Sequence, residues 1–424
     1  MSRIVLATMG SLGDLHPMIA LALELRKRGH TPVVNTWEGY REKVKGLGLE
    51  FHPLRPNVDP TDRELLRKTM DARTGPEMVI KELIFPSLGD MYEDLAAACE
   101  GADLLINGEI VYATASLVEK TNIKWISMSL APLSMFSSED PNVYPTAEWL
   151  EYLRPMPAFM HRALFSVMRL SLNSWYEPYK AFRRDLGLSE DHDPIFDDKY
   201  SKLLHLAMFS KAIGRPQSDW YSPTLQTGFC FFDESESAEL DADIAAFLDA
   251  GEPPIVFTLG SAAVLDARDF FDESAKAAKM LGRRALLLYG RENEPPKGLD
   301  ENIAAFQYAP YSQVFPRAAC VVHQAGVGTT AQVLRAGVPH LIMPYSHDQP
   351  DNAARCRRAG VAEVIGRDSY NANSAAKALT PILADRKYRE NAAALKRIVD
   401  AEYGTSIACD AIEDILRNRP IQIR

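Results

Sequence analysis

The sequence predicts an α/β protein built from two doubly wound, parallel-sheet domains that face each other across a cleft. Short apolar runs alternate with amphipathic stretches in both halves of the chain, and a Pro/Gly/Ser-rich segment separates the halves. Strand–helix repetition of this kind gives parallel sheets covered by helices on both faces. The length of 424 residues also favours two domains, because a single hydrophobic core rarely grows so large.

The first half opens with the apolar run RIVLATM (Arg3–Met9), which ends at Gly10 and is typical of a buried strand. The stretch LHPMIALALELRKRGH carries a helical apolar stripe and closes with a cationic turn and Gly29, as helices often do. Further strands are predicted at TPVVNT, ADLLING, IKWISMS and LLHLAMFS. We therefore assign residues 1–213 to an N-terminal domain.

The middle of the chain interrupts this alternation. The region from Pro141 to about Asp198 is rich in Met, Phe, Trp and Tyr, and GRPQSDWYSPTLQTG (Gly214–Gly228) is rich in Pro, Gly and Ser. We expect a linker over residues 214–232.

The second half restarts the pattern. Strands are predicted at PIVFTLG, RALLLYG, NIAAFQY, CVVHQ and PHLIMPY, with helical patterns between most of them. A C-terminal domain over residues 233–405 follows, and residues 406–424 are expected to form a helix that packs back on the N-terminal domain.

Composition excludes several classes of function. The net charge of −10 argues against nucleic-acid binding, which needs basic surface. The five cysteines are scattered without a CxxC spacing, which indicates reduced, buried thiols and a cytoplasmic protein. No apolar run is long enough to span a membrane and no signal peptide is indicated. The slightly basic segment Leu153–Phe182 allows weak peripheral membrane contact.

The segment HQAGVGTTAQVLRAG places a histidine at a strand end and a glycine turn at a helix start. Gly326 and Gly328 allow a ligand to approach the backbone, and the first helical amides form an anion site. His323, beside this turn, can donate a hydrogen bond to a diphosphate or carry charge to it. After the strand PIVFTL, Ser261 offers a hydroxyl that suits a phosphate oxygen, although a plain turn explains it as well.

Two further groups of polar residues lie at predicted strand ends. Asp348 and Gln349 follow PHLIMPY and offer hydrogen-bonding groups that match vicinal sugar hydroxyls, although Asp348 could instead cap the next helix. Asn352 has the same two interpretations. The loop GSLGDLHP carries Asp14 and His16, two titratable groups that suggest a general base, while helix capping is the simpler interpretation of Asp14.

These residues resemble those of a known family. The segment YAPYSQVFPRAACVVHQAGVGTTAQVLRAGVPHLIMPYSHDQPDNAARCRRAGV resembles the donor-binding signature of glycosyltransferase family 1, the UDP-glycosyltransferase superfamily with the GT-B fold. The bacterial macrolide, glycopeptide and rhamnolipid transferases and the sterol glucosyltransferases are the most similar branch. GSLGDLHPMIALALELRKRGH resembles the N-terminal pattern of the same family. The resemblance implies two Rossmann-like domains, with the acceptor bound by the N-terminal one and the donor by the C-terminal one.

The resemblance implies a role for each matched residue. His323, the amides of Gly328 and Thr329, and the hydroxyl of Ser261 would bind the donor diphosphate. Asp348 and Gln349 would hold the sugar. The full donor-binding set that it implies is Gly13, Ser261, Tyr308, Ala309, Tyr311, His323, Gly326, Gly328, Thr329, Asp348, Gln349 and Asn352, with Tyr308 or the backbone of Ala309–Tyr311 at the base.

Asp14 matches the acidic residue of the family's Gly-Ser-Arg-Gly-Asp subgroup and is the expected catalytic base, with His16 as the alternative. Leu12 departs from the Arg of that pattern. Ala325 replaces a common Gly, and Ala331 replaces a Glu that contacts ribose in many relatives, so ribose recognition is not expected there.

The family implies an inverting transfer of a hexose from a nucleotide sugar, without metal or other cofactor. UDP-glucose is favoured as donor and a TDP-sugar stays open. The acceptor is expected to be a hydrophobic phenolic, terpenoid, sterol, macrolide or lipid alcohol, bound by Met156, Phe159, Phe165 and Trp175, for which ordinary helix packing is the alternative. The protein is expected to act as a monomer or homodimer. A GT-B sugar-nucleotide 2-epimerase and a non-catalytic activator are the other hypotheses.

Overall fold

A computed structural model of the chain describes residues 1–233 and 240–421. The predicted C-terminal domain and final helix extend over residues 234–239 and 422–424, which lie outside the described residues.

Within the described residues, each domain is built on one parallel sheet. The N-terminal sheet comprises β1 (Arg3–Ala7), β2 (Thr31–Thr36), β3 (Glu50–Pro53), β4 (Leu104–Asn107), β5 (Trp125–Ser129), β6 (His205–Ala207) and β7 (Thr224–Gln226), in the order β3-β2-β1-β4-β5-β6-β7. The C-terminal sheet comprises β8 (Ile255–Thr258), β9 (Ala285–Leu288), β10 (Ile303–Phe306), β11 (Cys320–His323), β12 (His340–Ile342) and β13 (Ala362–Val364), in the order β10-β9-β8-β11-β12-β13.

Helices cover both faces of the two sheets. Those of the N-terminal part are α1 (Leu12–Lys27), α2 (Arg41–Gly46), α3 (Arg63–Thr69), α4 (Gly75–Met78), α5 (Leu88–Ala98), α6 (Thr114–Thr121), α7 (Ala158–Leu172) and α8 (Glu177–Asp185). Those that follow are α9 (Ala242–Asp249), α10 (Phe270–Met280), α11 (Tyr311–Val314), α12 (Val327–Ala336), α13 (Gln349–Arg358), α14 (Ala372–Ala384), α15 (Arg386–Asp400) and α16 (Gly404–Leu416). A π-helical stretch (Val79–Ile84) precedes α5, and the 3-10 turns include Pro132–Met135, Glu148–Leu153 and Ala263–Asp266.

The sheets form because their central strands are apolar on both faces. Ile4, Val5 and Leu6 of β1 are all completely buried. This is expected for a parallel sheet covered on both sides, and it explains why the continuous apolar runs of the sequence predict these strands well.

The segment predicted as a linker takes part in the N-terminal sheet. Thr224–Gln226 forms the edge strand β7 and pairs in parallel with β6, so the range 214–232 is not wholly a connector. The strands β3, β7 and β13 were not predicted. Each is three or four residues long with polar members and lies at a sheet edge, so it lacks the apolar run that reveals a central strand.

The last helix packs on the N-terminal domain. Ala408, Cys409 and Ile412 of α16 belong to the same apolar cluster as the buried face of α1, and Arg28 binds Asp410 at 2.6 Å. The helix starts at Gly404, two residues before the predicted segment.

All five cysteines lie among the described residues and are free thiols. Burial raises the pKa of Cys99 and Cys409 to about 12, as expected for unreactive structural cysteines. In residues 1–233 and 240–421, none of the helices has both the length and the apolar character that a membrane crossing requires.

Candidate active site

The strand order of each sheet locates the candidate site. β1 lies between β2 and β4, and β8 lies between β9 and β11, so both sheets change direction beside their first strand. Ligands of doubly wound folds bind outside the carboxyl ends of the strands at such a switch point. The loop after β1 carries Asp14, and the loops after β8 and β11 carry Ser261 and the glycine turn.

The loop after β1 folds Asp14 back onto the start of α1. Ser11 is the N-cap of α1, and its backbone N–H and side-chain hydroxyl both donate to Oδ2 of Asp14, at 2.8 and 3.3 Å. Gly10 has a φ of 126°, and a Cβ there would lie 2.3 Å from the same oxygen. The capping predicted for Asp14 is therefore real, but it occupies only Oδ2, so Oδ1 is the oxygen that can meet a substrate.

Asp14 lies among other negative charges. Burial raises its pKa to about 6, against the lowering effect of the Ser11 hydrogen bonds, and the charge of Glu109 raises it further. Glu109 follows β4, the neighbour of β1, and accepts hydrogen bonds from the Leu130 amide at 3.2 Å and from the Ser134 hydroxyl. A carboxylate with a pKa near 6 is well matched to general-base work near neutral pH.

His16 is less suited to that work. Its ring packs edge-on against Phe232, with the ring centroids 5.2 Å apart. Burial lowers its pKa to about 4, and the charge of Lys43 lowers it further. A histidine this acidic is a weaker base than Asp14, so the geometry favours Asp14 of the two candidates.

The glycine turn after β11 presents uncapped amides. Gly326 is the N-cap of α12, and no side chain among the described residues accepts a hydrogen bond there. Thr330 makes the first helical bond, to the Gly326 carbonyl at 2.9 Å, so the amides of Val327, Gly328 and Thr329 precede the helical ladder. These amides are the ones that the sequence predicts as an anion site, which we call the anion seat. The helix dipole favours a negative charge there.

His323 lies where it was predicted, at the end of β11 beside the glycine turn, but its ring nitrogens already have partners. It is completely buried; its Nδ1 accepts the Ala325 amide at 3.1 Å, and its Nε2 lies 3.0 Å from Nδ1 of His340. Burial and the neighbouring His340 lower its pKa far enough to keep the ring neutral. Both nitrogens are therefore used inside the protein, so in this structure His323 shapes the turn rather than donating to a diphosphate or carrying charge to it.

Two amide side chains fix the shape of this turn. Gln324 accepts the Gly260 amide at 2.9 Å, and a Cβ on Gly260 or Gly326 would lie 2.2 or 2.8 Å from its Nε2. Asn352 donates to the Ala325 carbonyl at 3.0 Å, and Ala325 itself has a φ of 69°. Gln324 was not predicted, because only the fold shows that the loops after β8 and β11 meet at this side chain. Ser261, next to Gly260, is exposed and can reach a ligand.

Asp348 and Gln349 lie at the start of α13. The Asp348 side chain does not cap that helix; instead its Oδ2 accepts Nδ2 of Asn352 at 2.7 Å. Gln349 accepts the Tyr345 amide at 2.9 Å, so its amide nitrogen is the end that can meet a ligand. Burial raises the pKa of Asp348 to about 7, and the charges of Asp14 and Glu109 contribute to the rise. Asp348 and Asp14, from different domains, therefore lie in one electrostatic environment.

The predicted base-binding residues lie after β10. Tyr308 is 48% exposed, with the guanidinium of Arg291 5.7 Å from its ring centre. Ala309 is buried, and Tyr311 bonds Thr258 through its hydroxyl at 2.8 Å. The Tyr308 ring and the backbone of 309–311 are thus the parts of this segment that can contact a base.

The predicted acceptor-binding residues differ in burial and packing. Phe159 is 63% exposed on α7, whereas Met156, Phe165 and Trp175 are half-buried. Trp175 packs against an N-terminal core cluster, which the other three do not join in the described residues. Phe159 and Phe165 point in directions about 120° apart around α7, since six residues make about one and two-thirds turns of a helix. The acceptor-binding role of the four residues stays a prediction.

The two domains meet directly at the site. A Cβ on Gly328 would lie 3.9 Å from Cα of Gly13, so the start of α12 faces the start of α1. Behind it, Asp351 accepts the Val143 amide at 3.0 Å. Arg355 then joins α13 to the N-terminal domain through Asn142, at 3.0 Å, and through an ion pair with Asp140. None of these contacts was predicted, because each joins residues far apart in sequence.

The described part of the chain holds no cluster of three His, Cys, Asp or Glu side chains that could bind a metal ion. The one Asp-x-Asp pair that the sequence shows in this domain is Asp241 and Asp243. Asp241 is the N-cap of α9 and accepts the amides of Asp243 and Ile244 at 2.9 and 3.3 Å. That pair is therefore explained by helix capping.

Comparisons with known proteins agree with this architecture. Residues 4–117 match the glycosyltransferase family 28 N-terminal domain, and residues 287–406 match the C-terminal domain of erythromycin biosynthesis protein CIII-like proteins. The chain is 31% identical over 442 residues to the O-mycaminosyltylonolide 6-deoxyallosyltransferase of Streptomyces fradiae, and 98% of each chain is covered. It is 26% identical over 431 residues to the sterol 3-beta-glucosyltransferase of Leptosphaeria maculans, covering 96% of this chain and 28% of the fungal enzyme.

Among solved structures, the glycosyltransferase SsfS6 of Streptomyces sp. SF2575, complexed with thymidine diphosphate, has the same fold. Its TM-score is 0.65 at 20% identity, with 98% of this chain and 100% of that chain covered. Two parallel-sheet domains whose switch points face each other define the GT-B class. The chain belongs to glycosyltransferase family 1, the UDP-glycosyltransferase superfamily, and is a glycosyltransferase.

Proposed function

We propose that this enzyme is an inverting, metal-independent hexosyltransferase. It moves a hexose from a nucleoside diphosphate sugar to a hydroxyl of a hydrophobic small molecule. The observation that supports this most is the approach of the α1 loop to the start of α12, because it sets Asp14 of one domain against the anion seat of the other.

The reaction needs a base, a binding site for the leaving diphosphate and contacts that position the sugar. Asp14 accepts the proton of the acceptor hydroxyl at Oδ1. The acceptor oxygen bonds to the anomeric carbon while the bond from that carbon to the diphosphate breaks, and the electron pair leaves with the diphosphate. The amides of Gly328 and Thr329 stabilise this developing charge.

A thymidine diphosphate deoxyhexose is the donor that the relatives favour, and UDP-glucose is the other candidate. The support is the 6-deoxyallosyl group in the name of one relative and the thymidine diphosphate bound by a structure of the same fold. Asp348 and Gln349 carry the sugar in either case. For the acceptor, the names of the two relatives support a macrolide or a sterol-like alcohol.

The test is to incubate the enzyme with UDP-glucose, TDP-glucose and a TDP-deoxyhexose, each with and without a macrolide aglycone, a sterol or a phenol. Nucleoside diphosphate release and product mass are followed. Acceptor-dependent release with a glycosylated product is expected. Epimerised donor without acceptor would indicate a 2-epimerase instead, and binding without turnover would indicate a non-catalytic protein.

Variants then test the assigned roles. Asp14→Asn should abolish turnover while leaving nucleoside diphosphate affinity within about twofold, since it removes only the base. Asp385→Asn is the matched control, because Asp385 also binds the first turn of a helix, accepting the Lys387 amide at 2.9 Å, but lies outside the site. Activity retained in Asp14→Asn would refute the assignment of the base.

A further inference from the structure

Four consecutive residues, Ser346 to Gln349, end the loop after β12 and begin α13. Two of them bond to the N-terminal domain. Ser346 donates through Oγ to the carbonyl of Asp71 at 3.0 Å, and His347 donates through Nε2 to the carbonyl of Thr69 at 2.8 Å. Both carbonyls belong to the N-terminal domain. The next two residues, Asp348 and Gln349, are those that the proposed function assigns to the donor sugar.

The acceptors of these two hydrogen bonds lie on a segment, residues 62–75, that we call the strap. Met70 is only 6% exposed and belongs to an apolar cluster of the C-terminal domain, against which Leu66 also packs. The strap therefore reaches across from its own domain and is anchored by its apolar side chains in the core of the other.

The strap is rigid where it meets the turn. Oδ1 of Asp71 accepts the amides of Arg73 and Thr74, each at 2.9 Å. A Cβ on Gly75 would lie 2.1 Å from the Thr69 carbonyl oxygen, so only glycine allows the chain to close behind that carbonyl. The direction of the Thr69 carbonyl is fixed by the strap itself and not by His347.

His347 is held in an unfavourable backbone conformation. Its φ is 57°, in the left-handed region that residues with a side chain disfavour. Burial lowers its pKa, so the ring is neutral, and the carbonyl acceptor requires the proton on Nε2. Such a conformation persists only when the surroundings impose it. The turn is held here by the bonds of His347 to Thr69 and of Ser346 to Asp71, and by the Gln349 amide, which donates to the Ser346 carbonyl at 3.1 Å.

We propose that His347 is a positioning residue for the donor sugar: the strap holds it through the Thr69 carbonyl, and this orients the adjacent Asp348 and Gln349. The proposal rests on the proposed function, which gives those two residues to the sugar. The amides of the diphosphate site at α12 all belong to the C-terminal domain. The sugar site is complete only when the N-terminal domain contacts it. The donor sugar is therefore held in place when the two domains are closed.

The experiment compares two ligands on the full chain. Dissociation constants are measured by calorimetry for the nucleoside diphosphate alone and for the corresponding nucleotide sugar. We expect His347→Ala to weaken nucleotide sugar binding about tenfold, the size of one lost hydrogen bond, while nucleoside diphosphate affinity stays within about twofold. Donor KM should rise by the same factor, with a smaller change in kcat.

Two conservative variants separate positioning from folding. His347→Gln places an amide donor at the reach of Nε2 and should restore most of the sugar affinity. His347→Asn tolerates the left-handed backbone but is too short, so it should stay weak. Met70→Ala, which loosens the strap, should give the same selective loss, and its effect should not add to that of His347→Ala. His30→Ala is the matched control: His30 bonds Glu413 at 3.2 Å and precedes β2, at the amino end of the sheet opposite the site, and neither ligand should change.

Equal weakening of both ligands, or no rescue by His347→Gln, would overturn the proposal. Unchanged affinity of His347→Ala for the nucleotide sugar would do the same. Failure of the proposed function has a different signature: the wild-type protein itself would bind neither ligand, or would bind nucleotide sugar no differently from nucleoside diphosphate.

Discussion

Replacing Asp14 with Asn should stabilise the protein as it removes catalysis. Asp14 is a carboxylate whose folded environment disfavours its charge, while Ser11 supplies hydrogen bonds that an amide oxygen can also accept. The substitution keeps the shape of the side chain and the bond from the Ser11 amide to it. Its main effect is therefore to remove the charge.

The magnitude follows from the pKa of the carboxyl. Its ordinary value is 3.8 and its folded value is about 6. The ionised folded protein is therefore disfavoured by about 3 kcal/mol, at about 1.4 kcal/mol for each tenfold change in the ionisation constant. A folded pKa above the unfolded one means that the stability is complete below pH 3.8 and is lost as pH rises through about 6. Asp14→Asn should thus gain little at pH 4 and up to about 3 kcal/mol at pH 8.

Urea unfolding of both proteins at pH 4 and pH 8, followed by fluorescence, measures this difference. Asp385→Asn serves again as control, because its side chain also binds a first helical turn and no stabilisation at pH 8 is expected for it. An Asp14→Asn variant that is equally stabilised at both pH values, or destabilised at pH 8, would show that burial of the charge is not what sets the pKa of Asp14.

Three further changes have defined outcomes. The acidic limb of kcat/KM against pH should lie near 6, where Asp14 ionises, and Glu109→Gln should move it to lower pH because a repelling charge is removed. Gln324→Ala should weaken nucleoside diphosphate binding about tenfold in calorimetry, because the Gly260 amide loses its acceptor and the turn loosens. Arg355→Met should lower the unfolding free energy by about 3 to 5 kcal/mol in urea titrations, since its buried carboxylate partners are left unpaired.

Much of the fold could be predicted from the sequence because the central strands are continuous apolar runs. RIVLATM and CVVHQ are buried on both sheet faces. Their continuous apolar sequence is therefore interpreted correctly as a central strand of a parallel sheet. Edge strands lack this signal. Thr224–Gln226 lies within a Pro/Gly/Ser-rich stretch, whose composition predicts turns. It forms a strand because it pairs with β6, which the local sequence does not show.

The position of a site residue was predictable where it depends only on the loop that carries the residue. Asp14, Gly326, Gly328, Asp348 and Gln349 all lie within seven residues of a strand's carboxyl end, so spacing alone places them at one edge of a sheet. The role predicted for His323 depended instead on what surrounds its ring. Sequence spacing does not show that His340 of the next strand lies 3.0 Å from it and that both ring nitrogens are used.

The acceptor side was the least predictable part. Aromatic content marked residues 153–182 correctly as unusual, but the wall it suggested requires that several side chains share one face. Phe159 is exposed on α7, whereas Trp175 lies in the 3-10 turn after α7 and packs in the core, a difference that only the fold shows.

Contacts between the domains also affect the pKa of Asp14, the proposed catalytic base. Asp14 and Asp348 both lie at the start of a helix, where the dipole favours a carboxylate by about 0.3 to 1 kcal/mol. Their pKa values are nevertheless raised, to about 6 and about 7. Burial outweighs the dipole at each, with added repulsion from Glu109 at Asp14 and from Asp14 and Glu109 at Asp348. Because the start of α12 lies against the start of α1, opening the cleft would expose Asp14 to water, relieve its burial and lower its pKa. The base is therefore strongest when the domains are closed around substrate.

The acidic limb of kcat, which reports the substrate complex, should accordingly lie at higher pH than that of kcat/KM. Coincident limbs would show that closure does not tune the base.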